Sequence, residues 1–164
     1  MKLRTHRHMT KEIIIHTDGA CSGNGTDNAQ GGWAAILTND TKQLCISGGV
    51  PDTTNQRMEL QAAIEGLKAV KNIDTPITLF TDSMYLINGC SKWLEKWKAN
   101  DWKLSKGKPV KNVDLWQELD TIQSKLTVTY VWVKGHNGDP MNERADRLAT
   151  KAIGQPNKRQ VHTK

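Results

Sequence analysis

The chain has 164 residues, 37% of them hydrophobic, with a formal net charge of +6. That length gives one domain with a real core, and a mean hydropathy of −0.61 with no apolar run of ~20 residues excludes a membrane-spanning protein. Three cysteines without metal-type spacing (Cys21, Cys45, Cys90) and a start lacking an apolar signal region point to a reduced, cytoplasmic protein.

Residues 1–10 and 154–164 are polar, basic and without periodicity, so both read as flexible arms around a domain at 11–153. The first strand is expected over 11–17, and the Gly- and Asn-rich stretch 19–32 reads as a loop into a second strand at 33–38. A third strand at 42–48 follows the turn residues Asn39-Asp40. Thr53 and Gln56 make a capping-box pattern before Leu60, Ala63, Ile64, Leu67 and Val70, which recur at helical spacing. A fourth strand over 77–81 delivers Asp82-Ser83 into a short helix. The last strand is expected at 127–133, and the last helix starts at Pro140. This order predicts an α/β fold: a five-stranded mixed sheet, three antiparallel strands then two parallel, flanked by helices. A right-handed crossover makes the first and fourth strands parallel neighbours.

Four carboxylates then converge. Asp18 and Asp82 end apolar strand-like runs, Glu59 borders the stripe of one helix, and Asp146 borders that of the last. Four like charges in one cleft repel unless a cation joins them. Oxygen-only ligands suit hard cations such as Mg²⁺ or Mn²⁺. The pattern reads as a metal-dependent enzyme acting on a phosphate-rich substrate, in keeping with a pI of about 9.3.

Between residues 92 and 112 seven lysines stand against Glu95 and Asp101, interleaved with Trp93, Trp97 and Trp102. The rings can pack a projecting helix while the lysines face outward. Lysines neutralise phosphates and indoles pack on sugars or bases, so this basic handle suits a sugar-phosphate backbone.

Five ordered segments resemble type 1 ribonuclease H: Thr17-Asp18-Gly19, Thr54-Asn55-Gln56-Arg57-Met58-Glu59, Thr81-Asp82-Ser83, Lys134-Gly135-His136 and Asn142-Glu143-Arg144-Ala145-Asp146. The resemblance implies the ribonuclease H-like fold and hydrolysis of the RNA strand of RNA–DNA hybrids, leaving 5′-phosphate and 3′-hydroxyl ends. It implies that Asp18, Glu59, Asp82 and Asp146 hold two Mg²⁺ ions (Mn²⁺ being a plausible substitute) and that His136 shuttles protons. It places Asn24, Asn55, Gln56 and main-chain groups near Cys21 in the minor groove, where 2′-hydroxyls distinguish RNA. It gives Thr54 and Asn112 a DNA phosphate, with Tyr85, Trp93, Trp97 and Ser105 along the channel. Met84 replaces a frequent glutamine with an apolar groove contact, Asp52 replaces an arginine found in some relatives, and the loop 25–30 is longer than in compact bacterial members. Asp139 stands where it could tune His136.

Other readings are a non-catalytic nucleic-acid-binding module, a detached reverse-transcriptase domain, and a DNA-cutting relative. All four acids together with His136 argue against the first. The starting Met1 and built-in handle favour a free-standing enzyme over the second, and the Thr54-Asn55-Gln56 and His136 segments favour hybrid cleavage over the third. The expected partner is an RNA–DNA hybrid duplex, without a membrane, and the expected state is a monomer.

Overall fold

A computed structural model describes residues 11–163; the expected N-terminal arm lies outside them. The elements in chain order are β1 (Ile13–Ser22), β2 (Gln30–Thr38), β3 (Lys42–Pro51), α1 (Asn55–Lys68), β4 (Ile77–Thr81) and α2 (Met84–Asn88). A wide π-helical turn at Gly89–Trp93 leads to α3 (Leu94–Ala99), then α4 (Val113–Gln123), β5 (Val128–Trp132), α5 (Pro140–Ala152) and β6 (Lys158–Thr163).

The strands form one six-stranded sheet in the order β5-β4-β1-β2-β3-β6. As expected, β1 and β4 are parallel neighbours, and β5 pairs parallel to β4. The first three strands are an antiparallel meander. The sixth strand corrects the expectation of five strands and a loose C-terminal tail. Its sequence, Lys158-Arg159-Gln160-Val161-His162-Thr163, has no apolar alternation, and all six residues are exposed. Its pairing is antiparallel to β3, from Lys42↔Thr163 to Ser47↔Lys158. Main-chain hydrogen bonding to an open edge carries it, and side-chain pattern does not report that.

Two further boundaries move. β1 continues through Asp18 to Ser22, and β2 begins at Gln30, because paired residues run on to Ser22↔Gln30. The expected loop 19–32 shrinks to residues 23–29. The N-cap of α1 is Thr54, whose hydroxyl accepts from the Arg57 amide at 3.2 Å. Thr53 is buried instead, with its own amide donating to the Ala29 carbonyl at 3.4 Å.

Helix α1 buries Leu60, Ala63, Ile64 and Leu67 on the sheet. Each fully buried large aliphatic side chain is worth roughly 1.5–3 kcal/mol. The core around Ile15, Leu79 and Leu86 continues into Trp116 and Leu119 of α4. A side chain on Gly89 would run into the Trp116 ring, so the chain can pass there only as glycine. Trp116 is fully buried, and Trp97 packs against it with ring centroids 5.3 Å apart. Trp93 packs on Trp97 at 5.6 Å. The handle's rings therefore continue the core, while Lys92, Lys96, Lys98, Lys103, Lys106, Lys108 and Lys111 are all exposed.

Candidate active site

The sheet register sets the first two acids level. The β1–β4 pairing ends at His16↔Phe80, and Asp18 and Asp82 each stand two residues further along. Asp18 is still inside β1, opposite Ala34, because β1 outruns its parallel neighbour. It is not at a strand end as the apolar run suggested. Asp82 follows β4 and immediately precedes Ser83, which caps α2 by accepting from the Leu86 amide at 3.1 Å.

Glu59 reaches this place because α1 sits on β1 with no side chain between them. A Cβ on Gly19 would lie 2.6 Å from both the Glu59 amide nitrogen and the Met58 carbonyl carbon. The absence of that carbon lets backbone touch backbone and puts the carboxylate of Glu59 over Asp18. Asp18, Glu59 and Asp82 each offer an oxygen, and these lie within 4.8 Å of one another. Asp146, half-buried on α5, stands outside that trio and bears on it through its effect on Asp18.

Charge and burial work against ionisation of this cluster. Asp18 is 4% exposed. Burial, then the charges of Glu59 and Asp82, then Asp146, push its pKa up to about 10. Glu59 is likewise pushed well above its ordinary value, by burial first and Asp82 second, against a hydrogen bond from the Gly19 amide. One Glu59 oxygen, Oε1, is buried without a hydrogen-bond partner. An orphaned carboxylate oxygen among other carboxylates is a cation ligand in waiting, and the donor set is all oxygen. The residues fit a divalent metal.

Around the acids, sequence reasoning missed two neighbours. Asn142, 3% exposed, points its amide nitrogen at Asp82 Oδ2 at 3.5 Å. It lies inside a motif segment, but an asparagine near a helix start ordinarily reads as capping. His16 stacks on Phe80 at 4.9 Å, with a buried Nδ1 that has no partner, and burial lowers its pKa. Nothing in the strand pattern marks it.

His136 is exposed on the loop between β5 and α5, in the left-handed region at φ 54°. Asp139 does not turn toward it. Its carboxylate caps α5, accepting from the Met141 and Asn142 amides at 3.0 and 3.1 Å. The loop is pinned again where the Gly138 amide donates to Glu143 at 3.0 Å.

The expected substrate residues come from the loop after β1, the start of α1, α2 and the handle. Asn24 Oδ1 accepts from the Asn55 amide at 3.1 Å, and the Cys21 thiol approaches the Thr53 carbonyl at 3.8 Å, tying the loop after β1 to the start of α1. Gln56 follows in the first turn of α1, half-buried. Tyr85 packs on Trp93 and Trp116 at 5.9 and 5.3 Å, and its hydroxyl accepts from Asn112. Met84 is 47% exposed, and Ser105 is exposed in the handle loop. Asp52, also exposed, is held at φ 51°.

A mixed sheet with acids level on adjacent parallel strands and a third acid from the covering helix defines a ribonuclease H-like, metal-dependent nuclease. The comparisons carry the assignment further: a family model described as RNase H matches residues 10–154, and the chain belongs to the type 1 ribonuclease H family. It is 51% identical over 148 residues to a ribonuclease H of Maricaulis maris, covering 90% of this chain and 97% of that one. It is 54% identical over 143 residues to a ribonuclease H of Francisella philomiragia, covering 87% and 91%. Among solved structures, LC9-RNase H1, a type 1 RNase H with the type 2 active-site motif, superposes with a TM-score of 0.83 at 30% identity, covering 94% of this chain and 78% of that one. The foamy viral protease-reverse transcriptase in complex with RNA/DNA hybrid shares the fold, at a TM-score of 0.71 and 23% identity over 88% of this chain and 20% of that one.

Proposed function

We propose that the protein hydrolyses the RNA strand of RNA–DNA hybrids with little sequence preference, leaving 5′-phosphate and 3′-hydroxyl ends. The observation that carries the reading is the cluster of buried Asp18 and Glu59 with half-buried Asp82, oxygens within 4.8 Å, and Glu59 Oε1 unpartnered among them. Asp18, Glu59, Asp82 and Asp146 would hold two Mg²⁺ ions. When bound, such ions supply Lewis acidity and lower the pKa of water.

The chain's own groups do the rest. Asn142 fixes the rotamer of Asp82 by its amide. His136 stands exposed at the mouth of the site on a loop anchored at Gly138 and Asp139. An imidazole there can take and return a proton, the exchange a histidine side chain is suited to near neutrality. Asn24, Asn55 and Gln56 would read 2′-hydroxyls with Cys21 and Met84 beside them. Thr54, Asn112, Tyr85, Trp93, Trp97 and Ser105 would track the DNA strand, and the exposed lysines would meet its phosphates. Contacts of this kind place a duplex without reading bases. The free thiols of Cys21, Cys45 and Cys90 support a reducing, cytoplasmic setting.

The test offers RNA–DNA hybrid, duplex RNA and duplex DNA to the pure protein with Mg²⁺, then repeats the hybrid with Asp82→Asn. RNA-strand cleavage is expected for the hybrid alone, and the substitution is expected to lower kcat by at least ~100-fold, the scale of losing a transition-state charge stabiliser. Undiminished cutting by Asp82→Asn removes that carboxylate from the mechanism, and cutting of duplex DNA overturns the substrate class.

A further inference from the structure

We infer that Arg57 is a positioning residue that turns Asn112 and Tyr85 into a pair of outward hydrogen-bond donors for a single phosphate of the DNA strand. The inference rests on the reading above that Asn112 and Tyr85 touch that strand, and it supplies what sets their polarity.

A guanidinium can only donate. Arg57 Nη1 lies 3.3 Å from the side-chain amide of Asn112, so the atom facing it is the amide oxygen, Oδ1. The amide nitrogen is thereby turned away, and it donates one hydrogen to the Tyr85 hydroxyl at 3.0 Å. The indole of Trp116, another pure donor, reaches the same hydroxyl from the core at 3.0 Å. The phenol oxygen therefore accepts twice. Its own hydrogen meets no acceptor among the described residues, and neither does the second hydrogen of the Asn112 amide. Two neighbouring donors with no acceptor between them suit an anion.

The arrangement is rigid behind those donors. Arg57 is clasped by Asp114 through two hydrogen bonds, of 3.0 and 2.7 Å, and the hydrogen bond from Arg57 holds the Asp114 carboxyl below its usual range. The Arg57 main-chain amide is itself bound by Thr54, so the first turns of α1 and α4 are joined at this point. Asn112 sits at φ 58° and precedes α4 as its N-cap, yet its side chain caps no amide. A residue in a sparsely used backbone region that forgoes the capping bond typical of asparagine is one whose side chain is committed elsewhere.

A simple clasp between two helices would place the same atoms together, and a phosphate-resolved kinetic experiment separates the two roles. A hybrid carries one neutral methylphosphonate, moved stepwise along the DNA strand, and KM and kcat are measured for the native protein, Asn112→Ala and Arg57→Lys. Cooperative thermal unfolding is recorded for each. The native protein is expected to lose affinity at one linkage. Asn112→Ala and Arg57→Lys are each expected to raise KM about tenfold, the size of one charge-assisted hydrogen bond. In both, kcat stays within about twofold and sensitivity at that linkage disappears. The lysine keeps the charge but not the fork, so it does not rescue. If Arg57→Lys keeps the linkage sensitivity that Asn112→Ala loses, Arg57 is only a clasp and the inference fails while the reading of Asn112 stands. If Asn112→Ala is itself indifferent, that reading fails and takes the inference with it. Should Arg57→Lys not fold, Asp114→Asn, which frees the guanidinium, enters the same comparison with the same outcomes.

Discussion

Asp18 sits under an electrostatic load that can be weighed by pH. Its pKa rises from 3.8 in the open chain to about 10 in the folded protein. A carboxyl raised in this way contributes stability that is fully present below its unfolded value and is lost as pH climbs toward the folded one. Asp18→Asn removes the penalty. In metal-free protein, the unfolding free energy of Asp18→Asn minus that of the native chain is therefore expected to grow as pH rises from about 5 to 8, by about 1–3 kcal/mol. Saturating Mg²⁺ should erase or reverse the difference, since a cation favours the ionised cluster. Urea titrations at several pH values measure it, and a difference that stays flat with pH would show that Asp18 does not carry the load. At the same scale, the clustering of Asp18, Glu59 and Asp82 was legible in the sequence because each ends or borders an apolar pattern. Asn142 and Arg57 were not, since their partners Asp82 and Asp114 come from distant parts of the chain.

Among the elements, β6 is the one that periodicity could not find. Strand patterns betray a buried face, and β6 buries none; what it offers is the ladder to Lys42–Ser47 of β3. Removing residues after Asn157 is expected to lower the thermal midpoint by about 2–8 °C, the effect of ~1 kcal/mol in a domain of this size. Cleavage by the remaining folded protein should be retained, because β6 pairs with the first half of β3, at the end of that strand away from Asp52 and Thr54. Loss of hybrid cleavage with folding intact would assign β6 to the substrate. The helix α1, by contrast, was readable from Leu60 to Leu67 by spacing alone, and Val70 of the same stripe lies just past its end at Lys68. Its start was also misplaced: the cap is Thr54, and Thr53 is buried with its amide bound to Ala29, which no local pattern encodes.

For the whole molecule, the charge and the fold point the same way. The net charge of +6 includes seven exposed lysines gathered between residues 92 and 111. Replacing Lys92, Lys96, Lys106 and Lys108 by alanine is expected to weaken hybrid binding at low salt. It should also flatten the plot of log K against log salt by roughly 0.7–0.9 for each phosphate left without its lysine. Binding that keeps its salt slope in the quadruple variant would take the handle out of the interface. The order of strands and helices made this architecture legible, because a meander followed by parallel units admits few topologies. The extra edge strand was the part it could not announce.

The contact at Gly19 has one more consequence. With main chain resting on main chain at 2.6 Å from an imagined methyl, the backbone segments that carry Asp18 and Glu59 are packed directly on each other. Folding crowds these carboxyls before any ion is bound, so Asp18, Glu59 and Asp82 would hold a divalent cation in exchange for protons. Loaded and unloaded protein would then differ in how many hydrogens they carry far more than in shape.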